Sequence, residues 1–218
     1  MPASAKQNLT RVGRLYTHSE MIEKLLKLRR PNFGEKPVFV ETGCGLSTLT
    51  LDKYAKAFNA TAYSLDFNPH KSHALKTEMA SRVGSIEFVI GDSLAGLKNI
   101  TAKQDIDFLF LDSAASAMHT FKEFLICENA LKPGASVLVD NAALPRETRT
   151  LSPVRKGKIL VPYLLASPYW QVSAHPLAGD SMISALRHNS PDFADPEYEH
   201  PDYIDNWREL LDQALPKI

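Results

Sequence analysis

Five short apolar runs along the chain each end on an acid. They cover 38–41, 62–66, 87–92, 107–112 and 136–140, and close on Glu41, Asp66, Asp92, Asp112 and Asp140. Between them lie segments with apolar residues at helical spacing. A short apolar run bounded by turn signals reads as a strand buried on both faces, as in a parallel sheet. Two more strand-like runs, 169–174 and 182–187, flank the turn-rich stretch 176–180 and predict a hairpin. The pattern therefore predicts an α/β fold. It is a Rossmann-like, doubly wound, mostly parallel seven-stranded sheet with a C-terminal antiparallel hairpin.

The helices follow from spacing and caps. Thr17 and Glu20 form a capping-box pattern ahead of Met21, Leu25 and Leu28, and Pro31 stops that helix. A second helix leaves the glycine turn 43–45 with Leu49, Tyr54, Ala55 and Phe58. A third opens at Asn68-Pro69 and buries Leu75 and Met79. A short fourth carries Leu94 and Leu97. A fifth shows Met118, Phe121, Leu125 and Leu131 and stops at Lys132-Pro133-Gly134. Residues 145–158 hold five basic residues, including Arg155 and Lys156, and read as a loop that clamps an anionic substrate, gates the pocket or is simply solvated. Residues 190–203 are acidic and proline-rich, and Ile204, Trp207, Leu211 and Leu215 give a last amphipathic helix. The predicted organisation is an N-terminal helical segment (1–35), a ligand-binding domain (36–188) and a C-terminal segment (189–218).

Composition narrows the function. Lys and Arg total 25, as do Asp and Glu, so no general electrostatic footprint for nucleic acid is present. No apolar stretch reaches the roughly 20 residues of a membrane span, and the N-terminus lacks a secretory apolar segment. Cys44 and Cys127 form neither a disulfide framework nor a metal spacing and read as buried thiols. These features predict a cytoplasmic protein that engages neither nucleic acid nor membrane.

In an open α/β sheet the ligand sits beyond the carboxyl ends of the strands. The strand-end acids should therefore line one rim. Glu41 precedes the glycine turn Gly43-Cys-Gly45-Leu-Ser47, where an acid would repel a pyrophosphate but suit an amino group. Asp66 stands where an acid accepts hydrogen bonds from ribose hydroxyls, and Asp92 with Ser93 is placed to meet an adenine edge. The turn lacks the third glycine of a dinucleotide-binding fingerprint. This series resembles the class I methyltransferases that use S-adenosylmethionine. The resemblance implies that Glu41, Gly43, Gly45 and Ser47 cradle the methionine part. It also implies that Asp66 holds the ribose and that Asp92 and Ser93 face the adenine, with Asp112 at the edge of the same site.

Asp112, Asp140 and Asn141 form a second constellation. Adjacent strands lie about 4.8 Å apart, so these side chains can converge. Two carboxylates and an amide oxygen are a hard-oxygen set of the kind Mg²⁺ accepts. The set resembles that of the metal-dependent catechol and caffeoyl-CoA O-methyltransferases. The resemblance implies methyl transfer to a small hydroxylated, catechol-like molecule, with Mg²⁺ or another divalent cation held by Asp112, Asp140 and Asn141. It also implies a homodimer by analogy. Where those enzymes carry a lysine base, this chain has Ala115. His119 is the nearest titratable alternative. Two other readings remain at this level: a metal-independent small-molecule methyltransferase, and a non-catalytic cofactor-binding protein of the same fold.

Overall fold

The computed structural model describes residues 17–80, 85–144, 152–153, 155–177 and 180–188. The predicted C-terminal helix and the loop residues Arg146 and Arg149 lie outside the described residues. The N-terminal helix α1 (His18–Arg29) is capped as its sequence requires. The Thr17 side chain accepts from the Glu20 backbone and the Glu20 side chain accepts from the Thr17 backbone. Then follow β1 (Val38–Thr42), α2 (Leu46–Phe58), β2 (Thr61–Asp66), α3 (Pro69–Ala80), β3 (Ile86–Ile90), α4 (Ser93–Thr101), β4 (Ile106–Leu111), α5 (Ala117–Glu128) and β5 (Leu131–Val139). Beyond them lie β6 (Ala143–Leu144), β7 (Ser152–Pro153), α6 (Gly157–Ala166), β8 (Trp170–Leu177) and β9 (Asp180–Arg187).

The sheet runs β3-β2-β1-β4-β5-β9-β8. The first five strands are parallel; β9 pairs antiparallel to β5 and to β8. β6 and β7 make a separate two-stranded ribbon. The chain winds outward from β1 to β3 and returns to β4, so the switch point opens above the carboxyl ends of β1 and β4. Alternate strand residues feed two cores. Val38, Val40, Leu109, Leu111, Val137 and Val139 pack with α4, α5 and α6. Phe39, Phe108, Phe110 and Leu138 pack with α1 and α2.

Three details depart from the sequence pattern. β5 starts at Leu131, inside the expected helix stop, because its register with β4 shifts between Ile106 and Phe108. Gly134 takes a left-handed φ of 82° there. Leu28 is exposed; α1 buries Met21, Ile22, Leu25 and Leu26. α5 is rotated from the face its apolar residues suggest. Met118 and Leu125 are exposed, and Thr120, Glu123, Phe124 and Cys127 are buried. The cause is polar: the Glu123 carboxylate accepts from the hydroxyls of Thr42 (3.2 Å), Ser93 (2.6 Å) and Ser113 (2.7 Å), which ties that face to the sheet.

Candidate active site

The glycine turn sits hard against β4. Gly43 has φ 86°, and a Cβ there would fall 2.3 Å from the Asp112 carbonyl oxygen, so the position requires glycine. A Cβ on Gly45 would meet nothing within 4 Å, which leaves open space over the start of α2. Glu41 lies beneath the turn, fully buried. Its carboxylate accepts from the hydroxyls of Ser47 (3.0 Å), Ser64 (2.6 Å) and Thr48. Burial still pushes its pKa up to about 7, against those three hydrogen bonds.

Asp66 accepts from the backbone N–H of Cys44 (2.9 Å) and of Asn68 (2.8 Å) and pairs with Lys71 at 3.3 Å. Partial burial raises its pKa, but the hydrogen bonds from Asn68 and Cys44 and the Lys71 charge outweigh it, and the net direction is down. Asp92 caps α4 through the N–H groups of Leu94 and Ala95. Ser93 is buried between His119 Nε2 (2.9 Å) and Glu123. Four large apolar side chains near these positions are exposed: Leu46, Phe67, Ile90 and Met118. Phe67 directly follows Asp66 and is 81% exposed. Exposed apolar groups of this size along one rim suit a ligand with a flat apolar part. The open cradle at Gly45, the rim acid Asp66 and this apolar rim fit the nucleoside cofactor expected from the sequence.

The second constellation does converge. Asp112, Ser113, Ala115, Asp140, Asn141, Arg155 and Lys156 line a cavity of about 240 Å³. His119 is not among them; it lies toward Ser93, with Nε2 3.2 Å from Glu123. His175 sits in β8 and bonds Ser184 at 2.6 Å. Lys156 enters the cavity from the turn before α6. Its ammonium contacts Asp112 Oδ1 closely and lies 3.5 Å from Asp140 Oδ2. His18, at the start of α1, reaches Asp140 Oδ1 at 2.7 Å. Arg155 donates to the Asn141 amide oxygen.

These contacts set the charge states. For Asp140, burial is outweighed by the His18 hydrogen bond, and the carboxyl is held well below the usual range. For Asp112, burial dominates over the Lys156 attraction, the Asp140 charge adds to it, and the pKa rises to about 6. The same Asp140 hydrogen bond raises the His18 pKa.

The expected Mg²⁺ set does not fit this arrangement. Lys156 already pairs with both carboxylates, and the Asn141 oxygen already accepts from Arg155. Among the described residues no group of three or more His, Cys, Asp or Glu side chains comes together as a metal site.

Residues 40–142 match the family model described as a methyltransferase domain. Over that stretch the chain is similar to methyltransferases. Its fold is shared with the O-methyltransferase of Bacillus cereus in complex with S-adenosylhomocysteine. That pair is 16% identical, covers 83% of this chain and 84% of the other, and has a TM-score of 0.63. It is shared equally with the O-methyltransferase TomG of Streptomyces achromogenes, involved in tomaymycin synthesis and bound to S-adenosylmethionine. There the identity is 16%, the coverage 82% and 84%, and the TM-score 0.62. An rRNA methylase from Streptococcus thermophilus has the fold too, at 7% identity, 81% and 100% coverage and a TM-score of 0.59. No curated relative matches the sequence.

Two residues of the cavity region have no signal in the sequence. Lys156 was one basic residue of a loop, 44 positions from Asp112. His18 was one polar residue at a helix start, 122 positions from Asp140. No local spacing encodes either contact. Ala115 lines the cavity as the sequence position implies, but a lysine from a different element enters the same space.

Proposed function

We propose that the enzyme transfers a methyl group to a hydroxyl oxygen of a small molecule held in the cavity between Asp112, Asp140 and Lys156. One observation carries this reading: the cavity shares Asp112 with the floor of the glycine turn, so an acceptor there lies beside the cofactor cradle. Bound S-adenosylmethionine would supply an electrophilic methyl on a sulfonium. Gly43, Gly45 and Ser47 would hold its amino-acid end, with Glu41 acting through the hydroxyls it orients. Asp66 would hold the ribose, and Asp92 and Ser93 would border the adenine.

The reaction balances without an outside reagent. The acceptor oxygen bonds to the methyl carbon, the carbon–sulfur bond breaks with its pair on sulfur, and the hydroxyl proton passes to a carboxylate of the cavity. Asp112 suits that role, because burial and the neighbouring Asp140 charge hold its pKa at about 6, above the usual carboxylate range, whereas that of Asp140 is held below it. Holding both reactants in line supplies much of the rate. Of the metal-assisted and metal-independent forms, the lysine in the acid pair favours the second. The neutral charge balance favours a small acceptor over RNA.

The test has two parts. S-adenosylhomocysteine should bind the wild type and bind Asp66→Ala at least tenfold more weakly in calorimetry. Hydroxylated acceptors incubated with S-adenosylmethionine in excess chelator should gain one methyl by mass spectrometry. Tight cofactor binding with no turnover on any acceptor would instead favour a non-catalytic cofactor-binding protein.

A further inference from the structure

We propose that Lys156 is a tethered replacement for a divalent cation, and that the acceptor is therefore held through a single oxygen and need not be a vicinal diol. The proposal deepens the O-methyl-transfer reading and rests on it.

A lysine is rarely buried unless paired. Lys156 is 5% exposed and sits against Asp112 and Asp140. An ammonium has three donors and no acceptor. Among the described residues two donors are used by these acids, and the third remains for a substrate oxygen. A divalent ion at the same place would face a fixed positive charge and would have to expel it. A chelated metal fixes two neighbouring oxygens, whereas one remaining N–H fixes one.

The backbone holds the lysine in place. Asn141 and Arg155 both take left-handed φ values, 53° and 43°, which non-glycine residues adopt rarely. Gly157 touches the other side of the same turn: a Cβ there would lie 1.9 Å from the Ala142 carbonyl oxygen. The segments 140–142 and 155–157 are thus packed backbone against backbone. Beyond the turn, α6 is anchored by buried Leu160, Val161 and Leu164. Before it, β7 pairs with β6. Lys156 is set by two elements and does not hang on a free loop.

The experiment reads metal binding directly. Wild type, Lys156→Arg and Lys156→Ala, each saturated with S-adenosylhomocysteine, are titrated with MnCl₂ and followed by the electron paramagnetic resonance of free Mn²⁺. The expected result is no saturable binding for wild type and Lys156→Arg. Lys156→Ala gains binding at least tenfold tighter, and adding Asp140→Asn removes it. Saturable Mn²⁺ binding by the wild type that Asp140→Asn abolishes overturns the proposal. So does a Lys156→Ala protein that keeps its S-adenosylhomocysteine affinity and takes no Mn²⁺. If Lys156→Ala fails to fold, the wild-type arm still decides. Acceptors with one isolated hydroxyl should be methylated within about threefold of their vicinal-diol analogues, and strict dependence on the second hydroxyl counts against the proposal. A wild type that binds no S-adenosylhomocysteine and methylates nothing defeats the transfer reading instead, and the Mn²⁺ titration remains interpretable without it.

Discussion

Glu41 is a carboxyl group enclosed by three hydroxyls, and its burial makes folding sensitive to pH. Its folded pKa, about 7, lies above the ordinary glutamate value of 4.5. The contribution of this group is therefore most favourable below pH 4.5 and is lost as pH rises through about 7. At about 1.4 kcal/mol per pKa unit the loss is on the order of 3 kcal/mol. Urea denaturation of wild type and Glu41→Gln between pH 5 and 8 checks this: the wild type should weaken with rising pH and the variant should weaken less. His18 behaves with the same sign for a different reason. Its pKa is raised by the Asp140 hydrogen bond, so the pair stabilises fully below the unfolded value near 6.5 and fades as pH climbs past the folded value. The side chain is half-exposed, so His18→Gln should cost about 1 kcal/mol at pH 6 and close to nothing at pH 9, read as a shift in melting temperature. Gly43→Ala meets both a left-handed φ and the Asp112 carbonyl. It should abolish S-adenosylhomocysteine binding in calorimetry before it abolishes folding.

At the scale of elements, α5 shows what a hydropathy pattern carries and what it omits. Phe124→Ala should cost about 3–5 kcal/mol, since the ring is fully buried and packs on Trp170 and Tyr163. Leu125→Ala should cost under about 0.5 kcal/mol, as a surface change. Chemical denaturation of both variants separates the observed helix face from the one its apolar spacing suggests. β1, β4 and the second half of β5 were legible because they are buried on both faces and so read as continuous apolar runs, and the half-exposed β2 and β3 were legible from their β-branched and aromatic residues ahead of a turn. The phase of α5 was not, because a buried glutamate satisfied by three distant hydroxyls looks like a surface residue in sequence. The early start of β5 was hidden in the same way, since Lys-Pro-Gly reads as a helix stop and here forms an irregular strand entry. The rim acids were placed correctly as strand ends. The cation among them was not legible, because it arrives through tertiary packing of the turn before α6.

At the scale of the whole molecule, α1 is strapped along β5 at both ends. Arg29 donates to the Gly134 carbonyl at 3.1 and 2.7 Å, near the beginning of the strand. His18 meets Asp140 just past its end. Between these anchors Met21, Ile22, Leu25 and Leu26 complete the core that holds Phe39, Phe108, Phe110 and Leu138. Arg29→Ala should therefore act at a distance. Amide hydrogen exchange should rise throughout α1, and the pH dependence of Asp140, followed by carboxyl carbon NMR, should shift along with it.

That strap also sets an order of events during synthesis. Residues 18–29 leave the ribosome about a hundred positions before β5 exists. At 5–20 residues per second the interval is roughly 5–20 s. A helix of twelve residues is marginal alone in water. For that interval α1 must wait with its apolar face uncovered by β5, and the acid that His18 will hold is made 122 positions after it.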